Sequence, residues 1–302
     1  MNLSNENCIA IELPLFLDNY IFTKLGARFA PNFEKFNKNL HHSTEDILIY
    51  LGTYFPRSFV ETYSIFNDLF QNTFLQSSFK IKSEINILDI GSGTGGDLTG
   101  ILLSMIENLS SDINFNITVV DGNQDALKIL EKIIFKLQIV FNLKINLSVY
   151  YLTFKTITEL YEKSKNSLLN EKFDFIISSK MINEIIIVDN NAYFNYLSYF
   201  TDFLSENGLL SILDVTIKID NLDYIPILLN EQSNQFIQTN LEKYKTLSPL
   251  CCINHEENCN VKCFTSETFC VTHSKKTNDR SKVSYRIIGR KNYISSILSI
   301  IS

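Results

Sequence analysis

The chain has 302 residues, of which 45% are hydrophobic and 12% aromatic, and this supply of apolar side chains excludes a globally disordered protein. No apolar run approaches the roughly 18 to 20 residues of a membrane span. The first residues include acids and lack a basic cluster, so we expect no signal peptide, no membrane partner and a cytoplasmic location. The net charge is −6, although residues 241–302 hold 10 Lys and Arg against 5 Asp and Glu. We expect no DNA partner, and a solvated face explains the weakly basic tail better than an anionic partner does.

Residues 1–80 have a helical pattern with polar interruptions. In the stretch SFVETYSIFNDLFQ, apolar side chains recur every three or four positions, the period of a helix with one buried side. Pro56 precedes this stretch, and Ser58 with Glu61 three positions later matches a capping box, so we expect the helix to begin near Ser58. The sequence therefore predicts an N-terminal helical cap over residues 1–80 and a second domain over residues 81–302.

From Ile85 onward, short apolar runs alternate with amphipathic stretches. The runs INILDI, NITVVD, LKINLSVYYL, FDFIISS and LLSILDVT are typical of strands, and KVSYRIIGRK adds a late one. Helical patterns lie between them, in DLTGILLSMIENL, QDALKILEKIIFKL, ITELYEKSKNSLL and NNAYFNYLSYFTDFL. This alternation predicts an α/β fold with a mostly parallel sheet that helices cover on both faces.

The loop after the first of these strands concentrates glycine. Four of the ten glycines in the chain lie within the six residues 91–96. Glycine allows positive φ and close approach of a ligand to the backbone, and a loop between strand and helix is where open α/β sheets bind ligands. Asp121 ends the next strand, where a carboxylate can accept from both hydroxyls of a ribose. The spacing fits neither a GxGxxG dinucleotide fingerprint nor a P-loop.

The order of motifs resembles that of the class I S-adenosylmethionine-dependent methyltransferases. DxGxGxG after a strand resembles their first motif, VVDGNQDAL the second, FDFIISSKMINEI the fourth and GLLSILDVT the fifth-strand region. The resemblance implies a Rossmann-like methyltransferase fold, S-adenosyl-L-methionine as cofactor and a small molecule, peptide or protein as methyl acceptor. A Rossmann-like domain with another ligand is the alternative. The cofactor residues expected from the resemblance are Asp89, Gly91, Ser92, Gly93, Gly95, Asp121, Gly122 and Ser178.

The end of the fourth strand is where this family faces the acceptor. The residues there read SSKMINE, without the Asn/Asp-Pro-Pro-aromatic signature of exocyclic amine methylation and without a cysteine for pyrimidine C5 chemistry. Lys180 and Glu184 are the nearest ionisable candidates for a catalytic role, and a solvated turn and a helix-start charge explain them equally well. The adenine contacts stay open, because no acid follows the third strand.

Five of the six cysteines lie within 20 residues, between positions 251 and 270. In a reducing compartment such clustering favours metal binding over disulfides, and thiolates select zinc or an iron–sulfur cluster. A set of small buried side chains is the alternative. We expect a Cys/His insertion over residues 249–275, before the last strands. The expected ligands are Cys252, Cys259, Cys263 and Cys270, with Cys251, His255 and His273 as substitutes.

A narrower resemblance combines the helical cap, the Asn-Glu after strand four and the Cys/His segment. Together these are similar to the mitochondrial small-ribosomal-subunit assembly methyltransferase-like proteins and their bacterial relatives. That resemblance implies an iron–sulfur cluster and ribosomal RNA as a partner. It leads to a second hypothesis, a methyltransferase-like assembly factor that binds ribosomal RNA and a metal centre without catalytic turnover.

Overall fold

A computed structural model describes residues 8, 10–31, 43–110, 112–165, 168, 171–219, 223–250 and 263–299. The described helices are α1 (Leu15–Asp18), a π-helix (Asn19–Lys24), α2 (Thr44–Phe70), α3 (Thr73–Lys80), α4 (Gly96–Asn108), α5 (Gln124–Phe141), α6 (Ile157–Ser164), α7 (Ile182–Ile185), α8 (Ala192–Phe200), a 3-10 helix (Thr201–Phe203), α9 (Ile225–Thr239) and α10 (Lys291–Leu298). The strands are β1 (Ala10–Glu12), β2 (Glu84–Ile90), β3 (Asn114–Asp121), β4 (Lys144–Tyr151), β5 (Phe173–Ser179), β6 (Leu204–Val215), β7 (Tyr244–Ser248), β8 (Glu267–His273) and β9 (Lys276–Arg290). In the part of the chain that the structure describes, no helix is long and apolar enough to cross a bilayer.

The nine strands form one sheet in the order β1-β8-β9-β6-β5-β2-β3-β4, with β7 paired to β9 outside this path. Strands β2 to β6 run parallel to one another, whereas β9 is antiparallel to β6, β7 and β8. Strand β2 pairs with β3 on one side and β5 on the other, so the order reverses at β2. Open α/β sheets bind ligands at such a switch point, outside the carboxyl ends of the strands. The predicted α/β, Rossmann-like fold with a mostly parallel sheet is confirmed.

The helices cover both faces of the sheet. Neighbouring residues of β5 point to opposite sides: Phe175 belongs to a buried cluster with α2, α4 and α5, and Ile176 to a cluster with α6, α8 and α9. Alternation of side chains along a strand produces this division. A strand buried on both faces reads as a continuous apolar run, which is why FDFIISS was recognisable in the sequence.

Helix α2 begins earlier than the sequence suggested. Ser43 is its N-cap and forms a capping box with Asp46, and the helix continues through Pro56 to Phe70. The expected start near Ser58 is therefore wrong. A proline inside a helix removes one backbone hydrogen bond, but the capping box and the burial of Phe55 and other aromatic side chains of α2 stabilise the longer helix.

The N-terminal residues are also not purely helical. Strand β1 joins the sheet edge by pairing in parallel with β8, with Ala10 opposite Cys270. Helix α2 packs on α4, and Thr62 donates from its hydroxyl to the carbonyl oxygen of Asp97 at 2.8 Å. The division into residues 1–80 and 81–302 stays a prediction, although the buried side chains of α2 share one cluster with those of β2 and β5.

Strand β8 corrects the expected insertion. The sequence predicts a Cys/His insertion over residues 249–275, before the last strands, whereas Glu267–His273 forms a full strand paired with β9 and β1. The alternation in ETFCVTH carries this strand, and cysteine fits a strand as a small apolar side chain.

Candidate functional site

Three glycines of the loop between β2 and α4 have left-handed backbones: φ is +78° at Gly91, +49° at Gly93 and +80° at Gly95. A Cβ atom at Gly91 would lie 2.5 Å from the Cβ of Met181, and one at Gly95 would lie 2.8 Å from the Cγ of Leu130. A Cβ atom at Gly93 would meet nothing closer than a tyrosine hydroxyl at 3.5 Å. Packing therefore requires glycine at the two outer positions, whereas at the central position only the left-handed backbone favours glycine and the side chain that it faces is that of Tyr50.

Asp121, at the end of β3, is bound directly to this loop. One carboxylate oxygen accepts from the backbone N–H of Gly93 at 2.8 Å and the other from that of Asn123 at 2.7 Å. Burial raises the pKa of the Asp121 carboxyl. An ionised carboxylate has about four acceptor positions, so both oxygens retain capacity for ligand hydroxyls. Gly122 follows on the same turn and is half-buried.

Asp89 lies close to two other carboxyl groups, those of Asp97 and Asp121. Asp89 is fully buried, and burial followed by the charges of Asp97 and Asp121 raises its pKa. Burial raises the pKa of Asp97 to about 6. Within the described residues, neither Asp89 oxygen nor the buried Ser92 hydroxyl has a hydrogen-bond partner. Clustered carboxyl groups with raised pKa values favour a cationic ligand, because a positive charge offsets their repulsion.

A cleft of about 300 Å³, counted with its solvent-open part, lies between the glycine loop, helix α2 and the end of β5. Tyr50 stands opposite Gly93 in this cleft. Burial raises the pKa of its hydroxyl, and the nearby charges of Glu184, Asp121 and Asp97 raise it further. The cleft is lined by Tyr50, Tyr54, Phe55, Ser58, Gly91, Ser92, Thr94, Gly96, Asp97, Ser179 and Lys180.

The contribution of α2 to the cleft was missed at the sequence level. A signal was present: Tyr50, Tyr54, Ser58 and Glu61 recur at the spacing of one helical face. Extending the helix back through Pro56 would have revealed this stripe of aromatic and polar side chains.

Lys180 lies in the cleft wall with its charge already balanced. Its ammonium group is 2.6 and 2.8 Å from the two carboxylate oxygens of Glu61, which is fully buried, and 3.3 Å from the Ser58 hydroxyl. The Ser281 hydroxyl of β9 also donates to Glu61. The backbone of Lys180 is left-handed, with φ +57°. These contacts join α2, the end of β5 and β9, so Lys180 has a positioning role. Glu184 is exposed on α7, and its charge helps to raise the pKa of Tyr50. The catalytic roles suggested for Lys180 and Glu184 stay predictions.

The turn after β5 is held from β6. Asp214 is fully buried and accepts from the Tyr193 hydroxyl at 2.8 Å and the Asn183 backbone N–H at 3.0 Å. Burial raises the pKa of Asp214 to about 7. Ser178, one of the expected cofactor residues, is buried near the end of β5, two positions before Lys180.

The expected metal ligands that the structure describes do not converge. Cys263 accepts from the Asn230 side-chain amide at 3.3 Å, Cys270 is buried in β8, and the His273 ring stacks on Phe22 with centroids 5.1 Å apart. Across the described ranges, no three His, Cys, Asp or Glu side chains are grouped to hold a metal ion. The described residues therefore give no support for a zinc or iron–sulfur centre. The other expected ligands, Cys251, Cys252, His255 and Cys259, lie outside the described residues.

These features define a Rossmann-like α/β domain whose ligand crevice lies at the switch point of its sheet. No protein-family model matches the sequence, and no curated protein matches it.

Several solved structures are similar in fold. The plantazolicin methyltransferase BpumL, solved in complex with SAH, is 14% identical over 91% of this chain and 94% of its own, with a TM-score of 0.43. A proposed class I S-adenosylmethionine-dependent methyltransferase from Listeria monocytogenes is 12% identical over 86% of this chain and 70% of its own, with a TM-score of 0.42. The mitomycin 7-O-methyltransferase MmcR is 8% identical over 84% of this chain and 60% of its own, with a TM-score of 0.39. All three are named methyltransferases.

Proposed function

We propose that this protein binds S-adenosyl-L-methionine in the cleft at the switch point and transfers its methyl group to an acceptor. The observation that carries the proposal is the loop itself: three left-handed glycines, of which the central one lies against Tyr50 without a clash and donates its N–H to Asp121. The acceptor is proposed to be a small molecule, a peptide or a protein.

The residues present fit this cofactor. Asp121 has acceptor capacity for a pair of ribose hydroxyls, and the absence of a side chain at Gly93 allows the backbone to approach a ligand between the loop and Tyr50. The carboxyl groups of Asp89 and Asp97 lie where a positive charge would relieve their repulsion. When bound, the cofactor supplies an electrophilic methyl group on a positively charged sulfonium.

The other residues of the cleft serve orientation and enclosure. Tyr50 and Tyr54 of α2 form the wall opposite the glycine loop, and the ion pair of Lys180 with Glu61 fixes this wall to β5. Walls that hold two reactants in line supply much of the rate enhancement for such transfers. A general base is unnecessary when the acceptor is already nucleophilic, which agrees with the pairing of Lys180 with Glu61.

The second hypothesis, a ribosomal-RNA-binding assembly factor with a metal centre, gains no observation from the described residues. Cys270 and His273 belong to a sheet strand rather than to a metal-binding insertion. We therefore do not favour it over methyl transfer.

The test compares two glycine substitutions by isothermal titration calorimetry with S-adenosyl-L-methionine and with S-adenosylhomocysteine. Gly93→Val fills the space opposite Tyr50 and should abolish binding while circular dichroism stays native-like. Gly26→Val is the matched control, because Gly26 has φ +77° with no neighbour within 4 Å and does not line the cleft. The control carries similar backbone strain and should bind as the wild type does. A wild-type chain without affinity at millimolar cofactor would refute the proposal.

A further inference from the structure

Arg286 lies on the sheet face opposite the one that α2 covers. It sits in β9 directly across from Ile212 of β6, and its side chain points toward α9 with only 2% of the residue exposed. One terminal nitrogen, Nη2, donates to the side-chain oxygens of Asn230 and, at 3.3 Å, Asn234. These two amide oxygens carry no net charge, so the guanidinium keeps its full positive charge inside the protein.

The guanidinium has no ionic partner among the residues that the structure describes. No carboxylate oxygen there lies within 4.0 Å of it, and Nε and Nη1 are buried without a hydrogen bond. Asp214 lies diagonally across on β6, but its carboxylate accepts from Tyr193 and Asn183 instead. Arg57 shows the contrast, because its Nε and Nη2 bind both oxygens of Asp279 at 2.9 and 2.7 Å.

A buried charge without a partner is strongly unfavourable. Arginine cannot escape that penalty by losing its proton, because a guanidinium group stays protonated in proteins. A second route to neutrality is an anion that binds from outside. The guanidinium is suited to one, because its planar donors match the oxygens of carboxylates, phosphates and sulfates.

We propose that Arg286, Asn230 and Asn234 form a binding site for a small oxyanion between β9 and α9. The site borders the surface: the exposed Cys263 is 3.3 Å from the Asn230 amide nitrogen, and the Ser284 hydroxyl donates to the Thr265 carbonyl oxygen. Residues 263–265 therefore run along its edge. The site is separate from the cofactor cleft, and this inference does not depend on the proposed function.

The experiment is equilibrium dialysis of the full chain against inorganic phosphate in one arm and acetate in the other, at constant ionic strength set with sodium chloride. We expect saturable binding of one equivalent in at least one arm, which also tells a tetrahedral oxyanion from a carboxylate. Arg286→Met should weaken that binding at least tenfold. Arg280→Met is the matched control, since Arg280 lies on the same strand but is exposed.

A second variant guards against misfolding of Arg286→Met. Asn234→Leu keeps the guanidinium and removes one amide, and it should weaken oxyanion binding severalfold with circular dichroism unchanged. Binding of neither phosphate nor acetate by the wild type would overturn the proposal. So would binding that persists unchanged in both Arg286→Met and Asn234→Leu.

Discussion

Replacing Asp121 by alanine should weaken both the glycine loop and cofactor binding, and the two effects can be measured separately. The carboxylate accepts two backbone N–H groups, from Gly93 and Asn123. Hydrogen bonds to a charged group are worth about 1.5 to 3 kcal/mol each. Burial opposes the charged form of Asp121, as its raised pKa shows, so the lower end applies. We expect the cofactor-free variant to lose about 3 kcal/mol of unfolding free energy in urea denaturation.

The same substitution removes the acceptor that the proposed function assigns to the ribose. Loss of that contact should weaken S-adenosyl-L-methionine binding roughly 10- to 100-fold in calorimetry, about 1.5 to 3 kcal/mol. Asp125→Ala is the matched control, because Asp125 binds Lys128 and Thr44 near the surface at the start of α5. It should leave the affinity unchanged. If Asp121→Ala has the same unfolding free energy as Asp125→Ala, the role of Asp121 in the loop is refuted. If its dissociation constant for the cofactor lies within about twofold of wild type, the role of Asp121 in cofactor binding is refuted.

Glu61→Gln should reduce the unfolding free energy by about 3 to 5 kcal/mol, because it leaves a largely buried ammonium without its carboxylate; a change below about 1 kcal/mol in urea denaturation would contradict this. Gly95→Val should destabilise the fold more than Gly93→Val, since both substitutions strain a left-handed backbone but only the side chain at position 95 also meets Leu130; equal melting temperatures for the two variants would show the distinction to be wrong. Folding raises the pKa of Asp97 to about 6 and that of Asp214 to about 7, so both favour folding below about pH 4 and lose that contribution as pH rises through these values. Unfolding free energy measured from pH 4.5 to 7.5 should therefore fall, and less steeply in Asp97→Asn; a rise over this range would contradict the assignment.

Local patterns in the sequence determined the order of strands and helices and the position of the ligand loop. The glycines of residues 91–96 and Asp121 are encoded within short stretches, where strand period, glycine spacing and the residue at a strand end are all visible. The same local view misled where two signals competed. Pro56 favoured a helix start near Ser58, although the capping box of Ser43 and Asp46 begins the helix earlier. The clustered cysteines favoured a metal-binding insertion where strand β8 lies.

Only the tertiary structure decided which polar groups meet. The Lys180–Glu61 ion pair joins residues 119 positions apart, and the fork between Arg57 and Asp279 spans 222. Arg286 differs from Arg57 because no carboxylate among the described residues pairs with it. No periodicity records such relations, because they depend on which strands become neighbours and which helix face packs against them. The sequence indicated that a ligand site exists at the end of β2, whereas the packing of α2 against α4 determined the wall that Tyr50 and Lys180 build around it.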